Sequence, residues 1–222
     1  MLMVTENIIK PILAYEKNSL PYSYDLTSLR WANTNTSTNL DAVGIYGVAN
    51  TASTSTDSSA VAKGNVGKSI SITNDTKRHS LLAIIASDST PGATRLVGIQ
   101  LILSGGTVSQ QCMQALDTQT GVLYTITETG TVTKRVKHFK SFGWAVMLSV
   151  ANNGTGNVNA ISRIYPSPGK LVAGSYSADN SLVSSCIVGH MQLNLNRHYP
   201  TQIVVTNGAA KTVSIARPIV GL

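Results

Sequence analysis

Histidines, the side chains that most often act as general bases, stand apart from one another in this sequence. The four are His79, His138, His190 and His198. None has the spacing of a paired metal ligand, and the chain contains no nucleophile elbow, zinc-protease helix or phosphate-binding loop. The sequence therefore predicts a non-enzymatic protein with no metal and no cofactor.

The ten acidic residues are also scattered singly, whereas acid–base catalysis by carboxylates needs two of them together. Four aspartates lie in segments typical of turns, where a carboxylate caps backbone amides without doing chemistry. They are Asp75, Asp88, Asp117 and Asp179. Two such loops could together hold a calcium ion, which prefers oxygen ligands, but no loop has EF-hand spacing. Turn capping is the interpretation that we favour.

A short basic run is the sharpest local charge feature. Lys134, Arg135, Lys137 and Lys140 fall within seven residues and surround Phe139. These four bases could contact phosphates or sulfated sugars, and the alternative is a solvated strand edge whose lysines discourage aggregation. A nucleic-acid site would need several aromatic residues and a second basic element, so nucleic acid is not an expected partner.

Aromatic side chains could stack on the C–H face of a sugar ring. Trp144 precedes a pure apolar run and is better placed in a core. Trp31 follows Arg30 in a polar segment and is the candidate glycan contact. A glycan site would make host surface sugars a further partner.

The composition indicates which kind of secondary structure must position these residues. The chain has 222 residues and a net charge of +7, with only 12% charged residues and three glutamates. Scarce glutamate argues against many surface helices. No stretch is long and apolar enough to span a membrane, and the start lacks the features of a signal peptide, so we expect a soluble protein made in a cytoplasm. Cys112 and Cys186 read as small buried hydrophobes, with one disulfide between them as the alternative.

From residue 31 onward the pattern repeats a β-run followed by a polar turn, about eleven times. Residues 81–85 and 96–103 are continuous apolar runs, which predicts strands buried on both faces. Residues 50–59 form a polar Ser/Thr tract, interpreted as flexible or draped on the surface. Asn207-Gly208 predicts a hairpin between residues 203–205 and 212–215. We expect one all-β sandwich or barrel over residues 31–222.

Residues 1–30 read differently and are interpreted as an extended N-terminal arm. Left exposed on a lone sandwich, its apolar side chains would form a patch that soluble monomers avoid. The candidate assembly residues are Ile8, Ile9, Ile12, Leu13 and Leu20. We expect the arm to pack on another copy of the chain or on a larger particle. The alternative is that it folds back on its own sandwich as an extra edge strand.

The order of segments resembles a family of tailed-bacteriophage structural proteins with a carbohydrate-binding-module-like jelly roll. An opening Asp–Trp segment, an aliphatic strand, a Gly-Trp strand, a closing Gln-Leu turn and a final strand are similar to five segments of this chain. These are Asp25–Asn35, His79–Ser87, Ser141–Val150, Gln192–Thr201 and Thr212–Pro218. The resemblance covers residues 25–218 and implies a jelly-roll β-sandwich of the kind found in phage fibres, spikes and capsid decorations.

The resemblance implies a function in a virion. The chain is expected to bind the particle surface as a capsid decoration or cement protein, or as a small fibre or spike head. Its partners would be other copies of itself, with a trimer favoured, and phage capsid or tail proteins. The alternative is a glycan-binding receptor module of a phage tail or head fibre.

Overall fold

The computed structural model describes residues 13–87, 95–139, 141–198 and 203–216, and within those ranges it contains strands and no helix. In chain order the strands are β1 (Leu13–Asn18), β2 (Ala32–Thr34), β3 (Thr36–Ala42), β4 (Ala52–Asp57), β5 (Asn65–Ser71), β6 (Arg78–Ser87), β7 (Leu96–Ser104), β8 (Gln110–Asp117), β9 (Leu123–Thr129), β10 (Val132–Phe139), β11 (Gly143–Ala151), β12 (Asn159–Tyr165), β13 (Gly169–Val172), β14 (Ser175–Ala178), β15 (Ser185–Asn194) and β16 (Lys211–Ala216). The expected all-β architecture is confirmed.

Two six-stranded antiparallel sheets pack face to face. The β15 sheet has the order β10-β11-β6-β15-β4-β3, and the β7 sheet has the order β2-β5-β12-β7-β8-β9. The continuous apolar runs become the central strands β6 and β7, because strands in the middle of a sheet are the most enclosed. Leu81, Ala83 and Ile85 of β6 lie in the core between the sheets, while Leu82 and Ile84 are buried on the opposite face. Burial on both faces is therefore confirmed for β6.

The topology is that of a jelly roll. Eight strands, numbered one to eight along the chain, are β4, β5, β6, β7, β8, β11, β12 and β15. Their spatial orders are 1-8-3-6 in the β15 sheet and 2-7-4-5 in the β7 sheet. This alternation between sheets is the double Greek key of a jelly roll. The remaining strands of the two sheets, β3, β10, β2 and β9, extend the edges.

The Ser/Thr tract was predicted to be surface chain, and this prediction is wrong. Residues 52–57 form β4, which pairs with β15 and β3. Ser53 and Ser55 are fully buried. Other segments hydrogen-bond both hydroxyls: Ser53 Oγ donates to Tyr24 O at 2.6 Å and accepts from Leu26 N at 3.0 Å, and Ser55 Oγ lies 3.2 Å from Thr38 Oγ1. Hydrogen bonding offsets the burial of polar side chains here.

The predicted arm does not form a separate unit in the part that the structure describes. Residues 17–26 lie beside β15, where Ser19 N donates to Leu193 O at 2.8 Å and Met191 N donates to Ser23 O, so this part of the arm folds back on its own sandwich, as the alternative expected. Leu20 and Leu26 are fully buried and belong to the core cluster. The assembly role predicted for Leu20 is therefore wrong, because its side chain is enclosed by the chain's own sandwich. Ile8, Ile9 and Ile12 lie outside the described residues.

The hairpin predicted around Asn207-Gly208 is also wrong. Tyr22 forms an isolated bridge with Asn207, and Gly208 N donates to Pro21 O at 2.9 Å. Residues 203–208 thus pair with residues 20–23, and β16 pairs with β1. We call residues 17–26 and 203–208 together the terminal strap. The local turn signal is overridden by pairing between the two ends of the chain.

Cys112 and Cys186 are not joined by a disulfide, and both are fully buried, one in each sheet. Burial raises the pKa of the Cys112 thiol to about 11. The prediction of two small buried hydrophobes is confirmed, and the alternative disulfide is absent.

Candidate functional site

The turn aspartates cap backbone amides as predicted. Asp75 Oδ1 accepts from Lys77 N at 3.0 Å, Asp117 Oδ1 from Gln119 N at 3.0 Å, and Asp179 Oδ1 from Ser181 N at 2.9 Å. Each bond spans two residues, which is the geometry of an Asx turn. Asp88 lies outside the described residues. Capping explains the placement of these three carboxylates without a ligand.

The histidines lie in four different surroundings. His79 Nε2 is 3.7 Å from Asp75 Oδ1, and His138 packs edge-on against Trp144 with ring centroids 5.0 Å apart. His190 contacts Gln192 and His198 contacts Thr133. Within the described ranges, His, Cys, Asp and Glu side chains form no group of three that could hold a metal ion. The same ranges contain no helix with the length and apolarity needed to cross a bilayer. The expectation of a non-enzymatic protein without a cofactor stays a prediction.

The prediction that Trp31 contacts a glycan is wrong. The backbone N–H of Trp31 donates to Thr27 O at 2.9 Å and closes a turn just before β2. The side chain is 2% exposed and belongs to the core cluster. A sugar needs an exposed aromatic face, and the indole offers none. Leu29, two residues earlier, is 85% exposed instead.

Most of the basic run lies within β10, an edge strand of the β15 sheet. Its side chains do not form one cluster. Lys134 pairs with Glu128 and also donates to Thr125, both on β9. Strand alternation puts Arg135 and Lys137 on the opposite face, away from that pair. Lys140 lies outside the described residues. The predicted anion contact is thus split, and it stays a prediction only for Arg135 and Lys137.

His198 lies on the open face of β10, beside Thr133. Arg78 Nη1 donates to Thr133 Oγ1 at 3.2 Å, and His198 Nε2 lies 3.1 Å from the same oxygen. Partial burial lowers the pKa of His198, and the charges of Arg78 and Arg135 lower it further. The outer face of β10 is therefore basic in character.

A row of polar side chains on the outer face of β15 is fully covered by the terminal strap. Gln192 Nε2 donates to Asn194 Oδ1 at 3.0 Å, and Asn194 Nδ2 donates to Lys17 O at 2.9 Å. From the strap, Val204 N donates to Gln192 Oε1 at 2.7 Å. Together with His190, these side chains form a buried polar row that ties both chain ends to the sheet.

Asn18 is the centre of the strap. Its Nδ2 donates to Met191 O at 3.1 Å and to Val204 O at 3.0 Å. Its Oδ1 accepts from Leu20 N at 3.0 Å and from Leu193 N at 3.1 Å. One buried side chain thus joins the N-terminal segment, the C-terminal segment and β15. Sequence reasoning missed Asn18, because no local pattern shows which distant backbone an asparagine will meet.

Next to the strap the two chain ends pair with each other. β1 and β16 pair from Asn18 opposite Lys211 to Leu13 opposite Ala216. We call this pair the terminal ribbon, and no further strand from the described ranges joins it. A two-stranded ribbon is marginally stable alone, and a strand edge without a neighbour can accept a further strand. Leu13, predicted as an assembly residue, opens β1.

A small pocket lies next to the strap, beneath the loop that joins β3 to β4. Its volume is about 190 Å³. The wall comes from that loop, from the strap and from β15, and includes Tyr24, Tyr46, Val48, His190 and Val205. Tyr46 is 62% exposed at the rim, whereas His190 is fully buried. The sequence analysis did not predict that these residues would line a common pocket.

No protein-family profile matches the sequence, and no curated protein matches it significantly.

Proposed function

We propose that the protein is a non-enzymatic structural protein of a tailed-bacteriophage virion, made in the host cytoplasm and assembled into the particle through its terminal ribbon. It would serve as a capsid decoration or cement protein, or as a small fibre or spike head. The observation that carries the proposal is the pairing of β1 with β16, which joins both chain ends in one ribbon that no other strand of the described residues extends.

Open strand edges are used in assembly because another chain can add a strand and complete the hydrogen bonding. Two of the four edge strands of the sandwich are less suited to this, whereas β3 and β9 have seven residues each. β2 has three residues, and β10 carries Lys134, Arg135 and Lys137. Both features oppose edge pairing. The ribbon is the edge that we assign to partners, which would be other copies of the chain and capsid or tail proteins.

Like subunits usually assemble with closed symmetry, and we favour a trimer. The alternative of a glycan-binding receptor module loses its named contact, because Trp31 is in the core. It would need a different exposed aromatic residue.

Electron microscopy of intact particles tests the virion assignment. Particles of the phage that encodes this chain would be labelled with an antibody to it, and particles lacking the gene would serve as the control. We expect label at regular positions on the wild-type particle and none on the control. Protein that stays in the soluble lysate while particles carry no label would contradict the proposal.

A further inference from the structure

Three basic side chains lie around one hydroxyl group on the open face of β10. Arg78 Nη1 donates to Thr133 Oγ1 at 3.2 Å, and His198 Nε2 lies 3.1 Å from the same oxygen. Arg135 follows Thr133 by two residues on β10, so strand alternation places its side chain on the same face. We call Arg78, Arg135 and His198 the arginine–histidine cluster.

The members of this cluster are accessible to a ligand from solvent. Arg135 and His198 are exposed, and Arg78 is half-buried. The bond to Thr133 uses one of the five N–H donors that a guanidinium group carries. A ligand can therefore accept hydrogen bonds from Arg78 while the contact with Thr133 stays in place and holds the side chain in position.

The positive charge of Arg78 is not neutralised by an acid of the described residues. Arg78 takes part in none of the ion pairs that those residues form. Asp75, the acid just before β6, lies 3.7 Å from His79 instead, and strand alternation directs His79 to the other face of β6. Desolvation lowers the pKa of His198, and the charges of Arg78 and Arg135 lower it further. The cluster therefore has a positive local potential.

We propose that the arginine–histidine cluster binds one sulfate or phosphate group, with Arg78 and Arg135 donating hydrogen bonds to its oxygen atoms and His198 beside them. Planar guanidinium groups match the oxygens of such an anion with two parallel N–H donors. A sulfate or phosphate group also brings more negative charge and more acceptor oxygens than a carboxylate does. The site does not depend on the proposed virion role.

Protonation of His198 should strengthen the binding, because the anion favours the charged imidazole that the two arginines disfavour. The other charged residues on the elements around His198 are Arg197 and Lys137, and neither residue type titrates near neutral pH. β11, which lies between β10 and β6, contains no charged residue. Sulfate keeps both of its charges between pH 5.5 and pH 7.5, so a change in its affinity over this range reports on the protein.

Titration of the full chain with sodium sulfate at constant ionic strength, followed by NMR, tests the site. We expect saturable shifts of the His198 ring signals, and an affinity that is about threefold to tenfold higher at pH 5.5 than at pH 7.5. Shifts that do not saturate, shifts of equal size at Lys134 and Arg163, or an affinity that does not depend on pH would overturn the proposal.

Two arginine variants locate the site. Arg135→Gln and Arg78→Gln should each weaken sulfate binding about tenfold, the loss of one charged hydrogen-bond donor. Arg163→Gln removes the same charge from β12 in the other sheet and should leave the affinity unchanged. Equal losses in all three variants would overturn the proposal, because they would show an effect of net charge alone. If Arg78→Gln does not fold, the exposed Arg135 and its control still decide.

Two histidine variants test the pH dependence. His198→Gln should bind sulfate with nearly the same affinity at pH 5.5 and at pH 7.5. His138→Gln is the matched control, because His138 is exposed on the opposite face of the same strand, and it should keep the dependence. A dependence that persists in His198→Gln, or that vanishes in His138→Gln, would overturn the role of His198.

Further probes identify the source of the anion. Binding of N-acetylglucosamine 6-sulfate as tightly as sulfate, or more tightly, supports the proposal with a sulfated saccharide as the ligand. Weaker binding of this sugar, or none, supports it with a free ion. Stronger binding of a short single-stranded oligonucleotide, with shifts along the whole basic surface, would overturn the proposal in favour of a nucleic-acid surface.

Discussion

The outer face of the β15 sheet is covered in one half and exposed to solvent in the other. Over β15 the terminal strap covers it, and His190, Gln192 and Asn194 are buried and neutral. Over β10 the face is open, and Arg135 and Lys137 are exposed. The two halves share one sheet and similar alternation, so the difference comes from where the chain ends lie. Segments that are distant in the chain bury some polar side chains and leave others exposed. Only the buried ones must find hydrogen-bond partners within the protein.

The largest effect should come from breaking the strap at its centre. Asn18→Ala leaves buried backbone groups of Leu20, Met191, Leu193 and Val204 without their partner. We expect a loss of roughly 3–5 kcal/mol in the free energy of unfolding, measured by urea denaturation. Asn39→Ala on the exposed face of β3 is the matched control and should be nearly neutral. A small loss at Asn18 would mean that the strap is not part of the fold.

Two leucines of the predicted arm sharpen the comparison. Leu20 is fully buried and Leu29 is 85% exposed. Leu20→Ala should cost roughly 2–5 kcal/mol through lost packing, and Leu29→Ala should change the free energy of unfolding by less than about 0.5 kcal/mol. Urea denaturation of both variants checks this. Equal effects would contradict the inclusion of residues 17–26 in the sandwich.

Acid should destabilise the covered half through His190. Burial lowers its pKa from 6.5 to about 4, so the unfolded chain takes up a proton that the folded chain does not between these values. Stability is therefore lost as the pH falls from about 6.5 to about 4, by up to about 3 kcal/mol for this group. The free energy of unfolding should be measured at pH 7 and pH 4.5. His190→Phe should show a smaller loss, and an unchanged loss would assign the effect elsewhere.

The smallest effects should come from the open half. Lys134→Gln removes a partly exposed pair with Glu128, worth at most about 1 kcal/mol. Lys137→Gln, on the exposed face of the same strand, should change stability by less than about 0.5 kcal/mol. Urea denaturation checks both. A loss above about 2 kcal/mol at Lys137 would show that this half is also covered.

The sequence was sufficient for the sandwich and its central strands. The run at residues 81–85 predicted burial on both faces because apolar side chains there leave no polar face, and β6 has this burial. The Ser/Thr tract failed as a prediction because small hydroxyls can be buried when a neighbouring backbone accepts their hydrogen bonds, as Tyr24 O does for Ser53. That partner is 29 residues away.

The candidate sites were harder to predict for the same reason. Trp31 follows a charged residue, yet its side chain lies in the core after a turn from Thr27 to Trp31. Asn207-Gly208 carries a strong local hairpin signal, yet residue 207 bridges to Tyr22. His190 lies opposite Ile84 on the outer face of β15 because of the bulge at Gly189. Each outcome depends on contacts between segments far apart in the chain.

The central claim of this account is that the inner part of the two chain ends completes the sandwich, and we propose that the outer part assembles subunits. Light scattering on the full chain and on a variant reduced to residues 17–212 tests this most directly, with urea midpoints measured in parallel. We expect the full chain to form a closed oligomer, with a trimer favoured, and the shortened chain to be a folded monomer with a nearly unchanged midpoint. A shortened chain that assembles like the full chain, or a full chain that stays monomeric, would contradict the account.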